Sequence, residues 1–154
     1  MRTRILNSKT LSLLCIFALG GLASCSPPSP SMSNLKSCEK LNQDGACRDD
    51  VGTFQNKKQK LFVSGDLTNA SQNTSIQVDL SVSKNGLQVP ITTTTVNPTS
   101  SDNFATASFS SPTQGWPEGT YSVVFTLPEG NRSFPFLQGS SSPKKHTKEF
   151  TIKP

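Results

Sequence analysis

Few side chains in this sequence are of the types that do catalytic chemistry. His146 is the only histidine, and its lysine-rich surroundings, PKKHTKE, are typical of a solvent-exposed loop rather than of a Ser/His/Asp or Cys/His site. The motifs G-x-S-x-G and H-E-x-x-H and a phosphate-binding glycine loop do not occur. Asp49 and Asp50 are adjacent, and neighbouring carboxylates seldom converge on one substrate. The sequence therefore predicts a protein that is not an enzyme and has no catalytic residue.

One hydrophilic loop offers oxygen ligands for a cation. Asn42, Asp44, Asp49 and Asp50 supply amide and carboxylate oxygens, which are the ligands that Ca²⁺ prefers. Their spacing does not fit the EF-hand pattern, so a hydrated turn is the better interpretation. We expect no metal site.

The amino-terminal residues have the layout of an export signal. Arg2, Arg4 and Lys9 precede or adjoin the apolar run LSLLCIFALGGL at 11–22, and small residues follow it. A membrane-spanning helix needs about 20 apolar residues. This run is shorter, so it predicts a segment that is cleaved rather than retained.

Leu22, Ala23, Ser24 and Cys25 form the string LASC, which resembles the lipobox of bacterial lipoproteins. In that family the cysteine is joined to diacylglycerol, the signal is cut just before it, and the new amino terminus receives an acyl chain such as palmitate. The resemblance implies that residues 1–24 are removed and that Cys25 carries these lipids, with no other cofactor. It also implies membrane anchoring in the bacterial cell envelope, on the exported side. The alternative is an ordinary secretory signal, with Cys25 a leftover thiol.

If Cys25 is lipidated and Cys15 leaves with the signal, Cys38 and Cys47 remain as a pair. Export places them in an oxidising compartment, and the enclosed EKLNQDGA contains the turn signal Asp44-Gly45. The alternative is a metal or redox pair, but the spacing is not C-x-x-C and no histidine lies nearby. We therefore predict a disulfide.

The basic character of the chain falls when the signal is removed. The full sequence has 15 Lys and Arg against 10 Asp and Glu, a formal charge of +5. Removal of Arg2, Arg4 and Lys9 leaves 12 cations and a charge near +2. The densest groups lie at 57–60 and 144–148, too sparse to predict nucleic-acid binding. They indicate solvated loop charge, or contact with anionic lipid headgroups.

The mature chain of 130 residues is long enough for one domain. Residues 25–36 comprise the lipidated cysteine and a Ser/Pro-rich linker, SPPSPSMSN and its continuation, which cannot bury enough apolar surface to fold. Residues 37–58 hold the disulfide loop and a lead-in. Residues 59–154 are expected to form the folded domain.

Short alternating runs separated by Asn, Gly, Pro and Ser predict β-strands in that domain. The clearest run is 74–84, where apolar residues occupy every even position from 76 to 82. Asn85-Gly86 is a strong hairpin signal, and 87–96 is the expected partner strand. Pro90 lacks a backbone donor, which predicts an edge strand or a bulge.

The remaining runs complete a two-sheet sandwich. Phe104 and Phe109 are five residues apart, which predicts a bulge or side chains on both faces. About seven short strands with turns between them are typical of an antiparallel β-sandwich. The further strands are expected at 61–67, 103–110, 120–127, 132–137 and 149–152.

The segment GWPEGTYSVVFTLPEGN at 115–131, together with KEFTI at 148–152, resembles the terminal hairpin of prokaryotic immunoglobulin-like domains in envelope proteins. The resemblance implies an immunoglobulin-like β-sandwich and says almost nothing about function, because sandwiches host many activities. The insertion FPFLQGSSSPKK departs from the compact form. It predicts a mobile loop at Gly139–Lys145.

Trp116, Lys144 and Lys145 are the candidate binding residues. Trp116 lies beside Gly115 and Pro117, where an exposed indole stacks on sugars, although large aromatic side chains usually bury and packing over the end of the sandwich is the favoured interpretation.

Taken together, these features predict a lipid-anchored cell-envelope protein with a non-enzymatic immunoglobulin-like binding or structural module. Its expected partners are the membrane, through the anchor, and an envelope protein or surface component, through the Pro90 edge or the Gly139 loop. The alternative is an inhibitor or accessory subunit of a secreted hydrolase, with the loop blocking an active-site cleft.

Overall fold

Eight β-strands and the turns between them make up the part of the chain that the computed structural model describes, residues 29–71, 74–98, 103–128 and 142–154. No helix occurs in those ranges. The strands are β1 (Ser31–Cys38), β2 (Thr53–Gln55), β3 (Lys60–Thr68), β4 (Ile76–Lys84), β5 (Leu87–Val96), β6 (Phe104–Ser110), β7 (Gly119–Leu127) and β8 (Lys144–Lys153).

The strands form two sheets with the arrangement of an immunoglobulin-like sandwich. One sheet has the order β1-β3-β6 and the other the order β2-β8-β7-β4-β5. All pairings are antiparallel except that of β2 with β8. Immunoglobulin-like folds place strands A, B and E in one sheet and G, F and C in the other, with C′ beside C. The predicted fold class is therefore confirmed.

The core lies between the sheets because β4 and β7 alternate apolar and polar residues. In β4 the four apolar positions from Ile76 to Val82 are buried, while Gln77 is exposed. In β7 the same alternation buries Val123, Phe125 and Leu127. Full burial of such a side chain stabilises the fold by about 1.5 to 3 kcal/mol.

An aromatic cluster closes one end of the core. The Tyr121 ring stacks on Phe150 with centroids 5.5 Å apart, and Trp116 meets Tyr121 edge-on at 5.8 Å. Phe54 of the short strand β2 contacts Phe150 edge-on at 5.2 Å. The Tyr121 hydroxyl donates a hydrogen bond to the Pro117 carbonyl at 2.6 Å, which is the tyrosine corner seen in immunoglobulin-like domains.

A disulfide joins Cys38 at the end of β1 to Cys47, as predicted. The backbone N–H of Cys47 donates to the hydroxyl of Ser64 in β3 at 2.9 Å. The loop between the cysteines turns at Gly45, which has a φ of +90°. The bond therefore fixes the loop against the three-stranded sheet.

Asp50 links the two sheets on the side where β1 approaches β8. Its Oδ1 accepts a hydrogen bond from the Ser37 backbone N–H at 3.0 Å, and its Oδ2 pairs with the Lys148 ammonium. Burial raises the pKa of Asp50, but the Lys148 charge and the Ser37 N–H outweigh burial and leave the pKa below its usual value. The carboxylate is thus used as an intramolecular clamp.

Two local expectations from the sequence are confirmed. Asn85 and Gly86 both have positive φ, 52° and 78°, as the tight hairpin turn requires. Pro90 lies in an edge strand, and the pairing of β4 with β5 shifts register beside it, between Leu80 and Ser81. Phe104 and Phe109 lie in a strand paired without a register shift, so of the two alternatives they face different sides.

Other expectations differ from the structure. The linker expected over 25–36 overlaps β1, which begins at Ser31 because Met32 is buried against the core. His146 was expected in a solvent-exposed loop, and this expectation was wrong: it lies in β8, opposite Phe125. Lys144 and Lys145, expected in a mobile loop, also lie in β8, because the whole of β7 pairs with it. The strand expected at 132–137 and residues 139–141 of that loop lie outside the described ranges.

Raising the pH is expected to destabilise the fold through Tyr121. Burial raises the pKa of Tyr121 to about 12, whereas an unfolded tyrosine titrates near pH 10. The folded state holds the proton more tightly, so this contribution is complete below about pH 10 and is lost as the pH rises to about 12. Urea unfolding midpoints should fall across that interval, and phenolate absorbance, which reports on the only tyrosine, should show a raised midpoint.

The matched control is Tyr121→Phe. This variant keeps every titrating lysine but lacks the phenol, so its urea unfolding midpoint should vary less over the same pH interval. Loss of the hydrogen bond should lower its stability by about 1 kcal/mol. A phenolate midpoint near pH 10 in the folded protein would contradict the prediction.

Asp50→Asn should destabilise the domain at neutral pH by about 1 kcal/mol or less, since 44% of the carboxylate side chain is exposed and solvent screens the pair. Because its pKa is lowered on folding, the contribution is present above about pH 4 and is lost as the pH falls through that value. The stabilities of wild type and variant should converge in acid. Asp49→Asn removes the same charge from an exposed neighbour, and an equal loss in that variant would argue against the clamp.

Candidate interaction site

Strand β5 is the most exposed strand that the structure describes. It pairs with β4 on one side and ends the five-stranded sheet on the other. Three of its apolar side chains are the exposed large hydrophobic residues of the described ranges: Leu87 at 71%, Val89 at 42% and Ile91 at 37%. We call these three residues the apolar strip.

The pairing of β5 shows which way the strip faces. Val89 lies opposite Val82, which points into the core, and directly opposed residues in an antiparallel pair share a face. Ile91 is the extra residue of the bulge, since Pro90 and Thr92 pair with consecutive residues of β4. The strip therefore extends the inner face of the sheet beyond the cover of the other sheet.

The three-stranded sheet covers only the carboxyl-terminal part of β5. The strand of the other sheet that β5 approaches is β6. Thr94 and Val96 are half-buried, whereas every residue from Leu87 to Thr93 is exposed. The apolar strip is thus a continuation of the core surface that the three-stranded sheet leaves open.

The outer face of β5 is polar and bonded to β4. Thr93 donates a hydrogen bond to Asp79 at 2.7 Å, and Gln88 accepts one from Ser81 at 2.9 Å. These cross-strand bonds hold the edge in place. An edge of this kind binds an extended segment through its backbone groups, while alternate side chains of that segment contact the apolar strip.

Trp116 does not offer a stacking surface. It is 3% exposed and its ring packs edge-on against Tyr121. Its backbone N–H donates to the Asn56 carbonyl, next to the carboxyl end of β8. Lys144 and Lys145 lie exposed at the beginning of β8, so the structure does not bring the three candidate binding residues together.

An open depression of about 620 Å³ lies beside the Trp116 corner. Ligand pockets are mostly apolar with a few convergent polar groups, and this depression has the reverse composition. Only one of its lining residues, Lys57, is charged. It is lined by Asn56, Lys57, Gln59, Ser111, Pro112, Thr113, Gln114 and Gly115. The β5 edge is therefore the better candidate site.

Cys25 and the string at 22–25 precede the described residues, so lipidation stays a prediction. Across the ranges that the structure describes, we find no helix with the length and apolar character to cross a bilayer. In the same ranges, no three His, Cys, Asp or Glu side chains are gathered as a metal site would require.

The sequence predicted the Pro90 edge but not the apolar strip on it. The signal was present, because Leu87, Val89 and Ile91 alternate with Gln88 and Pro90. Alternation normally indicates a buried face, however. Which part of β5 the other sheet covers depends on the tertiary packing alone. Searches against protein-family models and against curated proteins find no match to this chain.

Proposed function

We propose that this chain is a lipid-anchored protein of the bacterial cell envelope whose immunoglobulin-like domain binds another envelope component and is not an enzyme. The observation that supports binding most directly is the apolar strip on the free edge of β5.

The composition of β5 makes its exposure unusual. Soluble proteins blunt exposed edge strands with charged side chains, prolines or short length, because an open edge invites pairing. The strand has ten residues, LQVPITTTTV, and contains no charged residue. Pro90 and the bulge beside it interrupt the strand. A long edge without charge, whose first five residues carry the apolar strip, is suited to pairing with a partner.

Coverage of the apolar strip would supply binding energy. Burial of a valine or leucine side chain stabilises a complex by about 1.5 to 3 kcal/mol before the costs of association. Because the strand is already held by its bonds to β4, little ordering cost remains on its side of the interface.

The anchor complements this site. The LASC string, the cationic amino terminus and the apolar run occur together and support lipidation of Cys25. A tether confines the domain to the membrane and raises its effective concentration towards partners in the same envelope.

No observation on the described residues supports the hydrolase-inhibitor alternative. It depends on a projecting loop at Gly139–Lys145, of which Lys144 and Lys145 instead lie in strand β8. We therefore propose the envelope-binding role alone.

Replacing Cys25 should release the protein from the membrane. The wild-type chain is expected in the membrane fraction with the mass of residues 25–154 plus diacylglycerol and one acyl chain, and Cys25→Ser in the exported soluble fraction. Cys15→Ser alters a cysteine inside the signal and should leave anchoring unchanged. Recovery of a wild-type chain with a free, unmodified Cys25 thiol would contradict lipidation.

The β5 edge is tested with a photo-crosslinking amino acid at Leu87 in the native envelope. The wild-type chain should give a crosslinked product of one defined mass. Val89→Lys should lower its yield more than about tenfold, because the lost burial is worth at least about 1.5 kcal/mol and 1.4 kcal/mol is tenfold in affinity.

Thr95→Lys is the matched control for that experiment. It places the same charge on the same strand but on the polar face, where Thr95 pairs with Gln77. Both positions are exposed, so both variants should unfold at the wild-type temperature. Equal crosslinking by wild type and Val89→Lys would exclude the strip as the binding surface.

A further inference from the structure

The chain carries two separate lysine groups, and the structure places them at opposite ends of the sandwich. One group is Lys57, Lys58 and Lys60, which lead into β3, and the other is Lys144 and Lys145, which begin β8. Either group carries the charge to attract an anionic surface. Their positions relative to the anchor decide between them.

The anchored end of the chain enters the sandwich where β3 finishes. Ser31, the first residue of β1, pairs with Thr68, the last residue of β3. Six residue steps separate Ser31 from Cys25, and a chain spans at most about 3.6 Å per residue, so Ser31 lies within about 20 Å of Cys25 whatever the path between them. This end of the sandwich, marked by Ser31 and Thr68, we call the tether end.

Strand β8 begins at the same end. Its last residue, Lys153, accepts a hydrogen bond from the Asn56 N–H at 2.8 Å, and residues 57–59 then lead directly into Lys60 at the start of β3. The carboxyl end of β8 therefore lies beside the beginning of β3. Because β8 has ten residues and a strand rises about 3.3 Å per residue, Lys144 lies about 30 Å away, at the tether end.

The lysines at the two ends also differ in their contacts within the domain. Lys58 pairs with Glu39 at 2.7 Å, and Lys60 lies over the Phe62 ring at 5.8 Å. Lys144 and Lys145 are exposed, and neither forms an ion pair within the described ranges. The tether end therefore presents two cations directed towards solvent.

Within the described ranges, two acidic side chains lie near that end, and each accepts hydrogen bonds from neighbouring side chains. Asp66, two residues before the end of β3, accepts a hydrogen bond from Asn34 at 2.7 Å. Asp79 accepts hydrogen bonds from Thr93 and Gln77. Both belong to strand interiors rather than to the strand ends that face the anchor.

We infer that the tether end is the face that the domain turns to the membrane, where Lys144 and Lys145 bind the anionic headgroups of phospholipids. The inference rests on the proposed anchor at Cys25. A short tether fixes which end approaches the bilayer, and the two ammonium groups then meet the negative surface potential of that bilayer.

This orientation also assigns the apolar strip to a protein rather than to lipid. Val96, at the carboxyl end of β5, pairs with Ile76 at the beginning of β4, and Leu87 pairs with Lys84 at its end. Ile76 lies at the tether end because its neighbour Gln77 pairs with Thr126 of β7, which pairs in turn with Lys145 of β8. Leu87 is nine residues from Val96, so the strip is held about 15 to 30 Å above the tether end. Lipid does not reach it.

The test supplies the anchor chemically, so that it does not depend on lipidation in the cell. Residues 25–154 contain every strand described here, and with Cys38 and Cys47 bonded to each other, Cys25 is the one free thiol for coupling to a maleimide lipid. The coupled chain is placed on vesicles of phosphatidylcholine alone or with phosphatidylglycerol. Each lysine is then labelled with an acetylating reagent and its rate is read by mass spectrometry.

We expect Lys144 and Lys145 to be labelled about fivefold more slowly on the anionic vesicles. The attraction of one cation to such a surface corresponds to about that factor. High salt should remove the difference. Lys57 and Lys60 are the internal controls and should be labelled equally on both vesicles. The inference would be overturned if each of the four lysines were labelled at the same rate on both kinds of vesicle, or if Lys57 and Lys60 were the protected pair.

A second measurement uses variants of the untethered chain. With Cys25→Ser, partition onto phosphatidylglycerol vesicles should fall about twentyfold when Lys144 and Lys145 are both changed to Gln. The same change at Lys57 and Lys60 should have little effect. A smaller loss for the first pair than for the second would refute the assignment. Failure of lipidation in the cell would refute the proposed anchor but leave both vesicle results interpretable.

Discussion

The stack of Tyr121 on Phe150 is the contact on which the rest of this structure depends. It joins β7 to β8, receives Phe54 from the parallel strand β2, and is capped by Trp116. Strand β7 begins at Gly119, where φ is +150° and an added Cβ would lie 3.1 Å from Val82. A side chain at that position would strain the backbone and require Val82 to shift.

Strand β8 carries Phe150 of that stack and runs the length of β7, and three features of the domain depend on its position. Its carboxyl end is tied to Asn56, which places the first lysine group and the open depression at one end. Its amino end carries Lys144 and Lys145 to the other. Its middle meets Asp50, which also binds Ser37 of β1 and so couples the three-stranded sheet to the sheet that carries the β5 edge.

The parts of the fold that depend on local pattern could be predicted from the sequence. Alternation identified β4. The Asn85-Gly86 turn identified its partner β5 with the exact bounds Leu87–Val96. Strand β1 was missed because Pro and Ser surround Met32, and its apolar residues Met32, Leu35 and Cys38 are three apart rather than two. Strand β8 was placed too short because its first half is polar. Its partner is the already buried β7, so backbone pairing rather than side-chain burial determines where it begins.

The candidate site was harder to predict because it consists of a mismatch between two sheets. The apolar strip has the sequence of a buried strand, and it is exposed because the other sheet covers β5 only near Thr94 and Val96. No residue of the strip differs in type from those of the core, so its exposure can be found only by placing the second sheet. The disulfide was predictable because eight intervening residues with a turn bring the two cysteines together, and the predicted export signal implied an oxidising compartment.

The separation of charge and apolar surface along the strands gives the domain a direction. Lysines begin β8 at the tether end, while the strip occupies the half of β5 that is farthest from it. If both surfaces were at one end, lipid would compete for the strip and mask the free edge. Because roughly 15 to 30 Å of paired strand separates them, a domain anchored as proposed would rest on a bilayer and present an open edge above it, side-on to a neighbour.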